Sequence, residues 1–281
     1  MSGRVFIVTG GLRGLGRAMV LGLAAAGYRV LAVGHLADDV AHAEAETAGQ
    51  YWRGNIAWKV GDIRNGAVCD DVIAEASHRF GRLDGLVNNA GLTFTYINPG
   101  AEFGKQTPRF WEIDDEIVQN VMDVNFVAAS KMAKRAAPIL IEQGWGRIVN
   151  VTTRLSTMDT PGTTPYGQSK AALEMASQVW AKELAGTGVT VNIVNPGAGA
   201  HTPGMSDSMR QASRDGKMGR FIEPDEMVAP LLWAVSEAAG QTTGMRYDAI
   251  SWDASLEPEE AARRNGIPAG FRLQEGAGTS H

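Results

Sequence analysis

The chain has almost no cysteine. Cys69 is the single one in 281 residues, so no internal disulfide can form and a reducing compartment is expected. Histidine is sparse too, and the five at 35, 42, 78, 201 and 281 are too scattered in sequence to suggest a metal-ligand cluster. Long apolar runs are missing. The N-terminal MSGRVFIVTGG holds only a short apolar stretch that ends in glycines, without the longer apolar region and cleavage site of a signal peptide. No run approaches membrane-spanning length. A net charge of −5 leaves no basic surface for nucleic acid. These absences predict a soluble cytoplasmic protein with neither nucleic-acid nor membrane partners. At 44% hydrophobic and 20% charged residues the chain is globular, and its length suffices for one large domain with a substantial core.

What is present is an alternation of short apolar runs with helical patterns. Residues 5–8 and 29–33 read as buried strands, and between them Leu15, Met19 and Leu23 recur every four residues until Gly27 stops the helix. Further strands are expected at 56–60, 83–87, 147–151, 189–194 and 245–250. Val68, Val72, Ala76 and Phe80 mark one helical stripe, a long helix is expected over 114–142, and Pro224 suits a first helical turn. The alternation predicts an α/β fold: a parallel sheet of about seven strands with helices on both faces. One domain, 1–256, is expected. From Glu257 the composition turns to Pro, Glu, Arg, Gly and Ser, which predicts a C-terminal tail, 257–281, loosely ordered or docked on a partner.

TGGLRGLG at 9–16 falls in the first turn between strand and helix. Gly10, Gly14 and Gly16 let the backbone turn tightly and approach a pyrophosphate, and the helix N-terminus offers unpaired N–H groups and a positive dipole end. An acidic residue at the end of the second strand would hold ribose hydroxyls and exclude a 2′-phosphate, but Gly34 and His35 stand there. Arg13 can reach an added phosphate, which favours NADP(H) over NAD(H). The alternative is a solvated Arg13, with Asp38 or Asp39 folded back onto the ribose. Asp62 is placed either to accept from the adenine amino group or to cap the next helix.

Tyr166 and Lys170 lie one helical turn apart and share a face. At roughly 4–5 Å in an effective dielectric of about 20, the ammonium would favour the phenolate by about 3–4 kcal/mol, lowering the phenol pKa by about 2–3 pH units. Such a phenol exchanges a proton with an alcohol near neutral pH. Seven hydroxyl side chains precede it between Thr152 and Thr164.

In order, TGGLRGLG at 9–16, NNAG at 88–91, VNF around Asn125, YGQSK at 166–170 and NPG at 195–197 resemble the short-chain dehydrogenase/reductase family from about residue 4 to 252. The resemblance implies a Rossmann-like, doubly wound domain. It also implies an enzyme that binds NAD(P)(H) and transfers hydride between the nicotinamide and an alcohol or carbonyl carbon of a small molecule. The Tyr-Lys spacing favours this over enoyl reduction. Tyr166 would be the general acid or base, Lys170 would hold the nicotinamide ribose and tune the phenol, and Asn125 would shape the long helix and support a proton-relay water. Thr153 stands at the family's serine position, thirteen before Tyr166. Its hydroxyl can orient the reacting oxygen while its methyl restricts χ1 and takes up space. The alternative is that Ser156 or another hydroxyl of the loop takes over.

Cofactor contacts are implied at Gly10, Arg13, Gly14, Leu15, Gly16, His35, Asp62, Ile63, Asn89, Ala90 and Gly91, with Asn88 in the same segment. Tyr166, Lys170, Pro196, Gly197, Gly199 and Thr202 complete the set. Gly199 and His201 fall where the family has a bulky aliphatic residue and a threonine, and Thr202 can recover the threonine's role through a one-residue shift. His201 either meets substrate or lies on the surface. Substrate choice is expected from 92–111, with Phe94, Tyr96, Phe103, Phe110 and Trp111, and from a lid at 200–222, with Met205, Met209, Met218 and Phe221. Trp252 and the tail are further candidates. A homotetramer or homodimer is implied, with helices at about 116–142 and 165–185 at an interface. A second reading is a dinucleotide sensor on the same fold, which would bind NADP without chemistry and need no phenol.

Overall fold

Strands rich in Val, Ile and Leu need cover on both faces, and the helical segments supply it. In the computed structural model, which describes residues 3–271, the chain opens with β1 (Val5–Thr9), α1 (Gly14–Ala25), β2 (Arg29–Gly34), α2 (Asp38–Thr47), β3 (Ile56–Val60), α3 (Gly66–Phe80) and β4 (Gly85–Asn88). Then come the short α4 (Phe94–Ile97), α5 (Asp115–Met122), α6 (Ala129–Glu142), β5 (Gly146–Asn150), α7 (Leu155–Asp159), α8 (Tyr166–Glu183) and β6 (Val189–Asn195). The last elements are α9 (Asp207–Arg214), α10 (Val228–Ala234), β7 (Met245–Asp248), α11 (Pro258–Asn265) and β8 (Ile267–Pro268).

The strands form one sheet in the order β3-β2-β1-β4-β5-β6-β7-β8, parallel except for β8, which runs antiparallel to β7. Every residue of β1 and β6 is buried. Alternate β1 side chains enter opposite layers: Phe6 and Val8 pack with Met19, Leu23 and Leu231, while Val5 and Ile7 pack with Val72, Met132 and Leu140. This is the expected Rossmann-like, doubly wound fold. Strand order reverses between β1 and β4, which opens a crevice at their carboxyl ends. Among the described residues no helix is long and apolar enough to cross a membrane.

Three expectations change. The helix expected over 114–142 runs from Asp115 to Glu142, but a π-type turn at Asp123–Ala128 joins α5 to α6 within it and turns Asn125 fully inward. The strand expected at 83–87 is assigned from Gly85, although the Asp84 backbone already bonds Val5 and Arg147 and its carboxylate accepts the Val5 N–H at 2.8 Å. The expected loose or partner-docked tail is instead packed on its own sheet through residue 271. It forms α11 and an eighth strand, held where Gln178 Nε2 donates to the Ala269 carbonyl at 3.0 Å. Composition misled here because the polar face of α11 carries Glu259, Glu260, Arg263 and Arg264 while Ala261 and Ala262 are buried. The remainder of that tail, 272–281, lies outside the described residues.

Candidate active site

The glycine turn after β1 is stitched to the NNAG segment after β4. Gly10 and Gly14 adopt φ of +64° and +58°, the left-handed region open to glycine. A Cβ on Gly16 would stand 2.1 Å from the Gly10 carbonyl oxygen and 2.4 Å from Asn89 Nδ2, so the helix start can approach only as glycine. Asn89 Nδ2 donates to the carbonyls of Thr9 at 3.0 Å and Gly10 at 3.2 Å, and the Thr9 hydroxyl accepts from the backbone N–H groups of Asn89 and Ala90. Asn88 faces inward and donates to Asn150 Oδ1 at 2.9 Å. No side chain caps the first amides of α1, which leaves its N-terminus open to an anion in the crevice.

The crevice is a cleft of about 570 Å³, within the range typical of ligand sites. Gly10, Arg13, Gly14, Leu15 and Gly16 form one wall; His35, Asp62 and Ile63 lie toward β2 and β3; Asn89, Ala90 and Gly91 form the floor beside Tyr166 and Lys170; Pro196 and Thr202 form a rim. The donor set suits a dinucleotide: uncapped amides and an arginine for phosphates at one end, and a lysine and a phenol at the other.

Tyr166 opens α8 and is 9% exposed. Burial pushes its phenol up to about 12, with the Thr153 hydroxyl acting in the opposite direction. The Lys170 ammonium is 3% exposed, donates to the Val151 carbonyl at 2.8 Å, and is held down at about 8 by burial. Its Nζ stands 6.0 Å from the Tyr166 ring centroid. The phenol is thus shifted upward rather than in the expected direction, with its removal from water as the leading cause. Asn125 lies beneath the cleft. Its Oδ1 accepts the Leu92 N–H at 2.7 Å, and its Nδ2 donates to the Leu92 carbonyl at 3.0 Å and the Ser169 hydroxyl at 2.9 Å. The amide thus joins the NNAG segment to α8, and the π turn supplies the geometry.

Six of the seven hydroxyls before Tyr166 have separate partners. Thr152 donates to Glu174, Thr160 to the Ser156 carbonyl and Thr163 to the Thr160 carbonyl, while Thr157 accepts from Arg154 and Thr164 from Gln168. Ser156 is exposed on α7. Thr153 is the one set against the phenol.

At the β2 and β3 end, Arg13 Nε stands 3.7 Å from Asp39 Oδ2, and both residues line the cleft. Arg13 is half exposed, and at this distance the two form a loose ion pair rather than a hydrogen bond. Asp62 is engaged by Arg64, whose Nη2 donates to Oδ2 at 2.6 Å, and the arginine holds its carboxyl below the usual range. Arg64 also donates to Asn120, which donates to the Tyr96 hydroxyl, so the β3 end is tied to the 92–111 segment.

Gly197 and Gly199 do not line the cleft, contrary to expectation. A Cβ on Gly199 would stand 2.3 Å from the Phe221 ring, and Gly197 packs under Ile250 and Asp248. Thr202, Pro203 and Gly204 take the rim instead. His201, expected at substrate or on the surface, is buried against Phe221, with ring centroids 5.5 Å apart. The two variable segments clasp each other: Thr93 Oγ1 donates to the Gly204 carbonyl at 2.7 Å, Thr95 Oγ1 to the Pro203 carbonyl at 3.3 Å, and the Phe103 N–H to Ser208 Oγ at 3.0 Å. Phe94 stacks on Tyr166 with ring centroids 4.9 Å apart and packs with Ile97, Ile113 and Val121, whereas Phe110 and Trp111 are well exposed. Sequence reasoning missed Thr93, Thr95 and Gly204, whose only signal was membership of the two segments.

Residues 4–213 match the short chain dehydrogenase family. The chain is 29% identical over 249 residues to the 3-oxoacyl-(acyl-carrier-protein) reductase FabG of Thermotoga maritima, covering 87% of this chain and 95% of that one. It is 32% identical over 254 residues to a short-chain type dehydrogenase/reductase of Picea abies, covering 86% and 88%. Among solved structures, levodione reductase superposes with a TM-score of 0.74 at 23% identity, covering 86% of this chain and 94% of that one. Family match and fold agree with the cleft, and the chain belongs to the short-chain dehydrogenase/reductase family of NAD(P)-dependent oxidoreductases that act on CH–OH and C=O groups.

Proposed function

We propose that the enzyme is an NADP(H)-dependent reductase or dehydrogenase that interconverts a carbonyl and a secondary alcohol, with Tyr166 as its general acid or base. The observation that carries this is the meeting of Tyr166 and Lys170 at one end of a cleft whose other end is the glycine turn, with Thr153 set against the phenol from behind the lining. When bound, the nicotinamide ring supplies or accepts the hydride. In reduction, Tyr166 holds the proton delivered to the substrate oxygen, its phenol being protonated at neutral pH. Thr153 orients that oxygen through its hydroxyl. Lys170 holds positive charge beside the phenol and the ribose site, and Asn125 fixes the spacing of Leu92 and Ser169 around them.

The preference for the 2′-phosphorylated cofactor rests on Arg13 and on the lack of a carboxylate at Gly34 and His35, at the end of β2. Asp39 competes for the Arg13 guanidinium, and a bound phosphate would have to take its place. Assembly as a homotetramer or homodimer is part of the same reading, checked by light scattering.

The test is turnover across sugar, steroid, aromatic and acyl-thioester carbonyls, with NADPH and NADH in parallel. Tyr166→Phe should bind NADPH as the wild type does and lose turnover by at least about a hundredfold. Turnover retained in that variant would end the acid/base role, and tighter NADH binding would end the Arg13 argument.

A further inference from the structure

Behind Thr153 lies a buried ion pair that no motif signals. Arg246 of β7 and Glu174 of α8 have side chains 1% and 0% exposed, with Nη1 3.0 Å from Oε2. Neither lines the cleft. Both instead reach residues 152 and 153, the second and third after β5, where the chain has left the sheet. Arg246 Nη2 donates to the Thr153 carbonyl at 2.9 Å, and the Thr152 hydroxyl donates to Glu174 Oε2 at 2.9 Å. Arg246 Nη2 also meets Asp248 Oδ1 at 3.1 Å. The second Glu174 oxygen, Oε1, accepts the Gly270 N–H at 3.1 Å. Charge-assisted hydrogen bonds on either side of this ion contact therefore link Gly270, just past the C-terminal strand, to the peptide that carries the Thr153 side chain.

Stability alone is a weak reason for such a pair, since apolar residues of similar volume often serve a core as well or better. Placement gives a stronger reason. Asn150 is the last residue of β5, so the Thr153 carbonyl has no place in the sheet ladder, and its direction is set by what donates to it. Turning that peptide turns the threonine hydroxyl, and misplacement of a reacting group by about 1 Å can lower a rate on the order of a hundredfold.

We propose that Arg246, held by Glu174, is a positioning residue for the reaction: it fixes the Thr153 peptide so that the hydroxyl faces the substrate oxygen beside Tyr166. The C-terminal strand thereby becomes part of the apparatus that sets turnover. This inference rests on the carbonyl reductase reading above.

The experiment is a double-mutant cycle on the best carbonyl substrate, measuring kcat, KM and the NADPH dissociation constant for Arg246→Met, Thr153→Ala and the two together, with Arg246→Lys and Glu174→Gln alongside. Arg246→Met should lower kcat about tenfold or more, leave NADPH affinity within about threefold, and add nothing to the loss from Thr153→Ala, because it acts through that hydroxyl. Arg246→Lys should recover part of kcat, and it supplies the same cycle should the methionine variant fail to fold. Losses that multiply in the double variant, or a change confined to NADPH affinity, would overturn the positioning role. Wild-type protein that binds NADPH and reduces no carbonyl would overturn the reductase reading, and this inference with it.

Discussion

Lys170→Met should make the cofactor-free protein more stable at pH 7 while abolishing its activity. The lysine is buried, donates to the Val151 carbonyl at 2.8 Å, and is pushed from an ordinary 10.5 down to about 8 by burial. At pH 7 it is charged in both the folded and unfolded chains. Relative to the neutral amine, the folded state disfavours that charge by roughly 3 kcal/mol, at about 1.4 kcal/mol per pH unit. Methionine removes the charge with little change in length. It forfeits the hydrogen bond to Val151, a loss of about 1 kcal/mol. The net gain is about 2 kcal/mol, or roughly 4 °C in Tm for a chain of this size. Between about pH 8 and 10.5 the folded wild type binds fewer protons here than the unfolded chain, so its stability rises with pH across that window. The methionine variant has no such rise. Its advantage should shrink above pH 8 and change sign toward pH 10.5. Urea unfolding of both proteins at pH 7, 8.5 and 10 measures the difference directly. A variant less stable than wild type at pH 7, or a difference that does not move with pH, would refute the claim that burial lowers this lysine.

Gly16→Ala should reduce NADPH affinity by more than about tenfold and destabilise the fold by about 1–3 kcal/mol, because its Cβ would stand 2.1 Å from the Gly10 carbonyl oxygen; calorimetric binding and melting read both. Asp39→Asn should release Arg13 and raise the NADPH-to-NADH ratio of kcat/KM by about threefold to tenfold, whereas an unchanged ratio would show that the carboxylate does not compete with phosphate. Thr153→Ser keeps the hydroxyl and loses the methyl, so kcat should stay within about fivefold while KM shifts between bulky and slender carbonyls. Phe94→Ala should open the space against the Tyr166 ring and raise KM for small apolar carbonyls, since the ring contact at 4.9 Å is lost; steady-state kinetics on a size series tests it.

Much of the cleft was legible because its requirements are local. A left-handed turn and a close helix approach demand glycine, so Gly10, Gly14 and Gly16 show themselves by residue type and spacing. Tyr166 and Lys170 sit one turn apart on α8, and helical geometry alone puts them on one face. Other features depend on what the rest of the chain brings. Burial shifts both groups, raising the phenol and lowering the ammonium, and so opposes the effect that a charge near a phenol would have by itself. Gly199 looked like a cofactor contact by position, but Phe221 had already taken the space beside it. The Arg13–Asp39 pair joins residues 26 apart and was readable only as a choice between the two.

From the sequence alone came the α/β alternation, and the glycine turn and Tyr-Lys pair, each of these two encoded within about one or two turns of chain, while Thr153 came from the family resemblance. Tertiary structure alone decided the order of the strands, the π turn that buries Asn125, the docking of the C-terminal strand, and the union of Glu174, Arg246 and Thr153 from three separate elements. The physical reason is range. Backbone conformation and helical periodicity act between near neighbours, whereas desolvation and buried ion pairs depend on the whole chain having closed around them.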